Sequence, residues 1–148
     1  MAVADPVEIL LVEDNPNDVE LTLHALKKNN LTNRIEIARD GAEALEFVFG
    51  NGGCSEGRGE HRPKVILLDL KLPKVDGLEV LTQLKSNPKT RSIPVVVLTS
   101  SREECDIVKS YELGVNSYIV KPVDFEQFVT AVRQLGLYWL LMNQAATP

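Results

Sequence analysis

The chain has 148 residues, 44% of them hydrophobic and 25% charged, and it carries a formal net charge of −5. This length and composition fit one globular domain with a sizeable core. The acidic balance argues against a nucleic-acid partner, and the apolar runs are too short to cross a bilayer. Residues 1–6 lack the basic start of a secretory signal, so we expect a cytoplasmic protein that contacts no membrane.

Short apolar runs alternate with helical patterns along the chain. Five runs have the length and the Val, Ile and Leu content of strands: residues 7–12, 35–37, 65–68, 95–98 and 118–120. Such alternation predicts a doubly wound α/β fold, in which helices cover both faces of a parallel sheet. We expect a single domain with its core at about residues 7–142, a glycine-rich loop at 50–63 and a short tail at 143–148.

Five helices are expected between and after these strands. The first two have good N-caps in Asn15 and Asp40, and the third ends at Asn87, which precedes a proline. The last two are expected at about residues 103–113 and 124–142.

Four of the strands end in residues that suit phosphoryl chemistry. Glu13 and Asp14 follow the first strand, Asp69 the third, Thr99 the fourth and Lys121 the fifth. Ligands of open α/β sheets bind at the carboxyl ends of the strands, so these side chains should converge on one edge. Three crowded carboxylates favour a hard cation such as Mg²⁺, and aspartate is a known covalent acceptor. The sequence therefore predicts a metal-assisted phosphoryl site.

Each of these residues also has an ordinary structural explanation. Asp69 suits the cap of a turn, and Lys121 suits a solvated loop. Thr99 suits the N-cap of the fourth helix, as do Ser100 and Ser101. Their occurrence together at separate strand ends makes coincidence the poorer explanation.

Six short motifs stand at the strand ends and in the turns after them: Val12-Glu13-Asp14-Asn15, Leu67-Leu68-Asp69-Leu70, Leu72-Pro73, Asp76-Gly77, Val97-Leu98-Thr99-Ser100 and Tyr118-Ile119-Val120-Lys121-Pro122. Together they resemble the receiver domain of bacterial response regulators, over about residues 7–142. The intervals match as well, with 30 positions from Asp69 to Thr99 and 22 from Thr99 to Lys121. The resemblance implies a five-stranded flavodoxin-like sheet of strand order 2-1-3-4-5.

The resemblance also implies roles for the acidic residues. Asp69 would be the phosphoacceptor, and the protein would catalyse its own phosphorylation and dephosphorylation rather than act as an enzyme on other substrates. Asp14 would bind Mg²⁺ directly, with Glu13 nearby or acting through water. Asp69 and the backbone carbonyl of Lys71 would complete the protein ligands.

A second set of residues would bind the phosphoryl group and respond to it. By resemblance, Thr99, with Ser100 beside it, is the switch hydroxyl, and Lys121 is the phosphate-binding lysine, with a cis bond to Pro122. Tyr118 is the aromatic partner that turns inward when Thr99 moves to the phosphoryl group.

Lys71 and Ser101 are expected to tune the phosphoryl lifetime. They lie two residues after Asp69 and Thr99 respectively, where both should border the path of attacking water.

The resemblance implies a sensor histidine kinase as partner. Because little sequence follows the domain, we expect a stand-alone regulator that acts through another protein. The loop after the second helix and residues 110–118 resemble stand-alone regulators paired with phytochrome-type kinases.

The fifth helix is expected to form a homodimer contact through the face made by helix four, strand five and helix five. Leu137 and Leu141 fall opposite the arc that should cover the sheet, and clustered apolar surface usually marks an interaction site. The alternative is that the tail folds over them.

Two other classes of protein remain open. A phosphatase using an aspartyl phosphate needs a second acid two residues after the nucleophile, where this chain has Lys71. A receiver-like interaction module independent of phosphorylation would not need the complete set of Asp14, Asp69, Thr99 and Lys121.

Overall fold

The computed structural model describes residues 9–28, 34–49, 63–72, 75–99, 104–115 and 117–120, with single positions at 126 and 130. Within these ranges five strands and four helices alternate. Their bounds are β1 Ile9–Val12, α1 Pro16–Lys28, β2 Ile35–Ala38, α2 Gly41–Phe49, β3 Val65–Leu68, α3 Gly77–Ser86, β4 Val95–Thr99, α4 Glu104–Glu112 and β5 Ser117–Val120. Apart from positions 126 and 130, the fifth helix predicted at 124–142 lies outside the described residues, as does nearly all of the predicted loop at 50–63.

The strands form one parallel sheet in the order β2-β1-β3-β4-β5, which confirms the predicted fold. In the register, Val12 is opposite Leu68, and Leu68 is in turn opposite Val97. Between β4 and the edge strand β5, Thr99 is opposite Val120. The carboxyl ends of β1, β3, β4 and β5 therefore meet along one edge.

Alternate residues of the strands pack into two separate apolar layers, one on each face of the sheet. Leu10, Ile66 and Val97 point to the layer that includes α2 and α3. Leu11 and Leu67 point to the opposite layer, which includes the buried residues of α1. Both faces of the sheet are buried at the central strands β1, β3 and β4, and this explains why these strands are apolar runs, whereas the edge strand β2 keeps the exposed Glu36.

Local capping starts the first two helices where the sequence predicts. Asn15 Oδ1 accepts hydrogen bonds from the backbone N–H groups of Asn17 and Asp18, at 2.8 and 3.2 Å. Asp40 Oδ1 accepts from Glu43 N at 2.7 Å, and such caps stabilise a helix by about 1 kcal/mol each. None of the helices in the described ranges is long and apolar enough to span a membrane.

Helix α4 ends in a Schellman motif. Gly114 has a φ of +101°, its N–H donates to Tyr111 O, and the N–H of Val115 donates to Ser110 O, both at 3.0 Å. Val115 is buried in the α2–α3 layer, so the end of α4 is fixed by hydrogen bonds and by packing.

Lys85, in the last turn of α3, is a partly buried charge at the amino end of the sheet. Its ammonium donates to Arg91 O and Ile93 O, each at 3.0 Å. Burial lowers the pKa of this ammonium below its ordinary value of 10.5. The lysine thereby ties α3 to the turn that enters β4.

Candidate functional site

Three carboxylates converge at the carboxyl edge of the sheet. Glu13, Asp14 and Asp69 each offer an oxygen, and these oxygens lie within 4.8 Å of one another. We call these three residues the carboxylate cluster. Its geometry follows from strand pairing, since the N–H of Asp69 donates to Val12 O at 3.0 Å and so sets β3 beside the end of β1. The predicted convergence of acidic residues is therefore observed.

The cluster is unevenly exposed. Glu13 and Asp69 are only 2% and 5% exposed, whereas Asp14 lies on the surface. Glu13 is held by its backbone N–H, which donates to Ala38 O at 2.9 Å, and its Oε2 accepts from Asn15 N at 3.3 Å. Burial of two neighbouring negative charges is unfavourable unless positive charge compensates it. The cluster thus has the donor atoms and the charge that a hard divalent cation requires.

The segment after Asp69, residues 69–72, forms what we call the acceptor loop. The backbone N–H of Lys71 donates to Asp69 Oδ1 at 3.1 Å and orients that carboxylate. The loop leads into α3 through Gly77, whose N–H donates to Leu70 O at 2.9 Å. A Cβ at Gly77 would meet Asp69 O and the Cα of Leu70, so glycine allows α3 to start directly against the acceptor loop.

Thr99 lies at the end of β4, fully buried. It is the last residue of β4, and residues 100–103, between it and α4, lie outside the described residues, so the alternative of Thr99 as N-cap of the fourth helix stays open. Tyr118 is half-buried on β5 and packs against the layer that contains Val97. Thr99 is two residues after Val97 and therefore projects to the same face, which places hydroxyl and ring on one side of the sheet.

One contact in the site escaped the sequence analysis. Lys71 Nζ lies 3.7 Å from Asp106 Oδ2, which joins the acceptor loop to α4. Leu70, Leu72 and Asp76 join this pair in lining a cavity of about 280 Å³. Nothing in the local sequence distinguishes Asp106 from other helix-surface acids, because its partner is 35 positions away in the chain.

Several predicted site residues lie outside the part of the chain that the structure describes. These are Ser100, Ser101, Lys121, Leu137 and Leu141. Their assigned roles stay predictions.

Comparison with known proteins gives a consistent result. Residues 9–133 match the response regulator receiver domain. The chain is 44% identical over 144 residues to the probable methanogenesis regulatory protein FilR2 of Methanothrix harundinacea (strain 6Ac), covering 97% of this chain and 90% of that protein. It is 43% identical over 135 residues to response regulator Rcp1 of Synechocystis sp. (strain ATCC 27184 / PCC 6803 / Kazusa), covering 91% and 90% of the two chains.

Two solved structures that are similar to this chain are also response regulators. The bacteriophytochrome response regulator RtBRR superposes with a TM-score of 0.82 at 56% identity, covering 96% of this chain and 85% of its own. A crystal structure of Rcp1 in its Mn(2+)-bound form superposes with a TM-score of 0.73 at 42% identity, covering 96% and 98%. With its strand order, its acidic strand ends and these relatives, the chain belongs to the response regulator receiver domains of two-component systems.

Proposed function

We propose that this receiver accepts a phosphoryl group on Asp69 from a sensor histidine kinase, with Mg²⁺, and signals through a change of surface that phosphorylation drives. The observation that supports this most is the carboxylate cluster, with Asp69 buried at its inner side and oriented by the N–H of Lys71. A response regulator needs such an acceptor next to a cation site, because the transferred group is itself anionic.

Mg²⁺ suits the cluster better than a softer metal because all of the donors are oxygens. Asp14, Asp69 and the backbone carbonyl of Lys71 would hold the ion, with Glu13 close by or acting through water. When bound, the ion supplies positive charge to the carboxylates and to the phosphoryl oxygens. The crystal structure of Rcp1 with Mn(2+) supports a divalent site in a relative of this chain.

The transfer itself is a substitution at phosphorus. A carboxylate oxygen of Asp69 attacks the phosphorus of a phosphohistidine, the P–N bond breaks, and its electron pair leaves with the imidazole. The product is an acyl phosphate, and water attack later returns the Asp69 carboxylate and inorganic phosphate. Lys121 would pair with the phosphoryl oxygens, and Lys71 and Ser101 would border the path of that water.

The signal would begin at Thr99. Its hydroxyl, with Ser100 beside it, would donate to the phosphoryl group, and Tyr118 on the same face would move into the space that Thr99 leaves. One charge-assisted hydrogen bond is worth only about 1.5–3 kcal/mol, so the two states must be close in free energy before phosphorylation. The surface that changes would be that of α4, β5 and the predicted fifth helix.

The partner we propose is a phytochrome-type histidine kinase in the cytoplasm. RtBRR is described as a bacteriophytochrome response regulator, and 56% identity over most of both chains supports a shared kind of partner. We further propose a homodimer through the changing surface, with Leu137 and Leu141 in the contact, and no nucleic-acid partner. The alternative function is an interaction module that works without phosphorylation.

Phosphorylation with a small donor tests the proposal. We expect acetyl phosphate with Mg²⁺ to add one phosphoryl group, seen by intact mass, and addition to stop with excess EDTA or in Asp69→Asn. Asp76→Asn is the matched control, because Asp76 caps α3 and asparagine caps equally well. Uptake by Asp69→Asn at the wild-type rate would refute the acceptor assignment, and no uptake by the wild type would favour the phosphorylation-independent module.

A further inference from the structure

The ion pair between the acceptor loop and α4 has no role in the function described so far. Lys71 Nζ and Asp106 Oδ2 are 3.7 Å apart, and the two side chains differ sharply in exposure, 63% for Lys71 and 13% for Asp106. The carboxylate is therefore the more buried member, and the ammonium, on its flexible stem, is the more accessible one. The lysine can leave this pair for another anion without a movement of the acid.

The backbone of Lys71 is already attached to the acceptor. Its N–H donates to Asp69 Oδ1 at 3.1 Å, so the flexible four-carbon stem starts beside the carboxylate that would carry the phosphoryl group. The stem is directed to Asp106 in the unphosphorylated protein. A phosphoryl group on Asp69 would offer the same ammonium a second anion, close to the backbone of Lys71 itself.

Charge decides between the two anions. Asp106 carries one negative charge, whereas a phosphoryl group carries nearly two together with several strong acceptor oxygens. The ion pair is weak at its exposed Lys71 end, because water screens the ammonium and the long side chain must be ordered. When Asp69 is phosphorylated, the ammonium should therefore divide between Asp106 and the phosphoryl group, with the phosphoryl group favoured.

We propose that Asp106 is a positioning residue for Lys71: it holds the ammonium away from Asp69 in the unphosphorylated protein and competes with the phosphoryl group for it afterwards. This competition sets the phosphoryl lifetime and, when Asp106 loses, releases α4 from the acceptor loop. The proposal rests on the proposed function, since it requires phosphorylation of Asp69.

Dephosphorylation of purified, fully phosphorylated protein tests this exchange. Lys71→Ala removes the ammonium from the phosphoryl group, whereas Asp106→Asn, which is nearly isosteric, gives it entirely to the phosphoryl group. We expect the two variants to shift the half-life in opposite directions, each by about threefold or more, which is roughly 0.65 kcal/mol. The double variant should match Lys71→Ala alone if Asp106 acts on the phosphoryl lifetime through Lys71.

Two further variants separate positioning from a general effect on α4. Asp106→Glu keeps the charge and should keep the wild-type half-life. Glu112→Gln removes an exposed acid from the same helix and should also change nothing. An independent readout is the ¹³C shift of the Asp106 carboxyl carbon, which should move on addition of beryllofluoride, a phosphoryl analogue, in the wild type but not in Lys71→Ala.

Three results would overturn the proposal: a wild-type half-life in Asp106→Asn, shifts of both single variants in the same direction, or additive effects in the double variant. Each of these leaves the proposed function intact, because the protein must first have been phosphorylated to be measured. Failure of the wild type to take up any phosphate would instead reject the proposed function, and this proposal with it.

Discussion

The two ends of the sheet handle charge in opposite ways. At the carboxyl end, the carboxylate cluster gathers three like charges whose oxygens lie within 4.8 Å. At the amino end, the partly buried Lys85 ammonium donates to two backbone carbonyls at 3.0 Å. Hydrogen bonds to a partly buried charge favour stability, whereas like charges held close together favour the binding of a cation. The contrast predicts opposite effects when a charge is removed from each end.

The largest effect on the free energy of unfolding should come from filling the space between the acceptor loop and α3. Gly77→Ala places a methyl group against backbone atoms of Asp69 and Leu70, which cannot rotate away. We expect the free energy of unfolding to fall by about 3 kcal/mol, measured by urea denaturation. The matched control is Glu46→Ala at an exposed position of α2. Equal stability of both variants would show that the backbone of Asp69 and Leu70 can shift to make room for the methyl group.

Removal of the charge at the amino end should destabilise. Lys85→Met keeps most of the side-chain volume but leaves the carbonyls of Arg91 and Ile93 without their ammonium donor. We expect a loss of about 2 kcal/mol in the free energy of unfolding, since two charge-assisted hydrogen bonds are lost and the one to Ile93 O is part-buried. Lys109→Met, at an exposed position in the last turn of α4, is the control. A stabilised Lys85→Met would contradict the view that this charge is compensated.

Removal of a charge at the carboxyl end should do the opposite. Asp69→Asn reduces repulsion within the carboxylate cluster, and its amide oxygen can still accept from Lys71 N. Without divalent cations we expect a gain of about 1 kcal/mol in stability. Mg²⁺ should raise the melting temperature of the wild type and have much less effect on the variant. A less stable Asp69→Asn in EDTA would show that the cluster is compensated within the chain.

The smallest effect should be a dependence on alkaline pH. The folded-state pKa of Lys85 lies below its ordinary value of 10.5, so between the two values the unfolded chain binds more protons than the folded one. The stability contributed by this residue should therefore rise with pH over that window. The difference in unfolding free energy between wild type and Lys85→Met should widen as the pH rises towards 10.5. A constant difference would mean that burial does not disfavour the charged form.

The sequence was sufficient to predict the features that depend on neighbouring residues or on the position of a residue at the end of a strand. Asn15 and Asp40 cap the helices they were expected to cap, because a cap depends on the next three residues alone. The carboxylate cluster was predictable because parallel strands bring their ends to one edge. The strand order came from the resemblance to a family, which the sheet then confirmed.

The two lysine contacts could not be predicted in this way. Lys71 and Lys85 both look like ordinary surface lysines in the sequence, and their partners are set by how elements far apart in the chain pack together. A long flexible stem can reach many acceptors, so local pattern gives no preference among them. The position of Thr99 inside β4 shows the same limit, since a hydroxyl after an apolar run suits a strand end and a helix cap equally well.

The two ends of helix α4 are held differently, and the helix can therefore act as a lever. Its carboxyl end is pinned by the left-handed Gly114 and by Val115 in the core, while the ion pair of Asp106 acts near the opposite end. Eight residues of rise separate Asp106 from Gly114, a lever arm of about 12 Å. A tilt of only about 10° around the pinned end would therefore carry Asp106 about 2 Å, whereas Tyr111 would move less than half as far. Small rotations of this helix would therefore make or break the contact at the acceptor loop, while the exposed ring of Tyr111, near the fixed end, would move little.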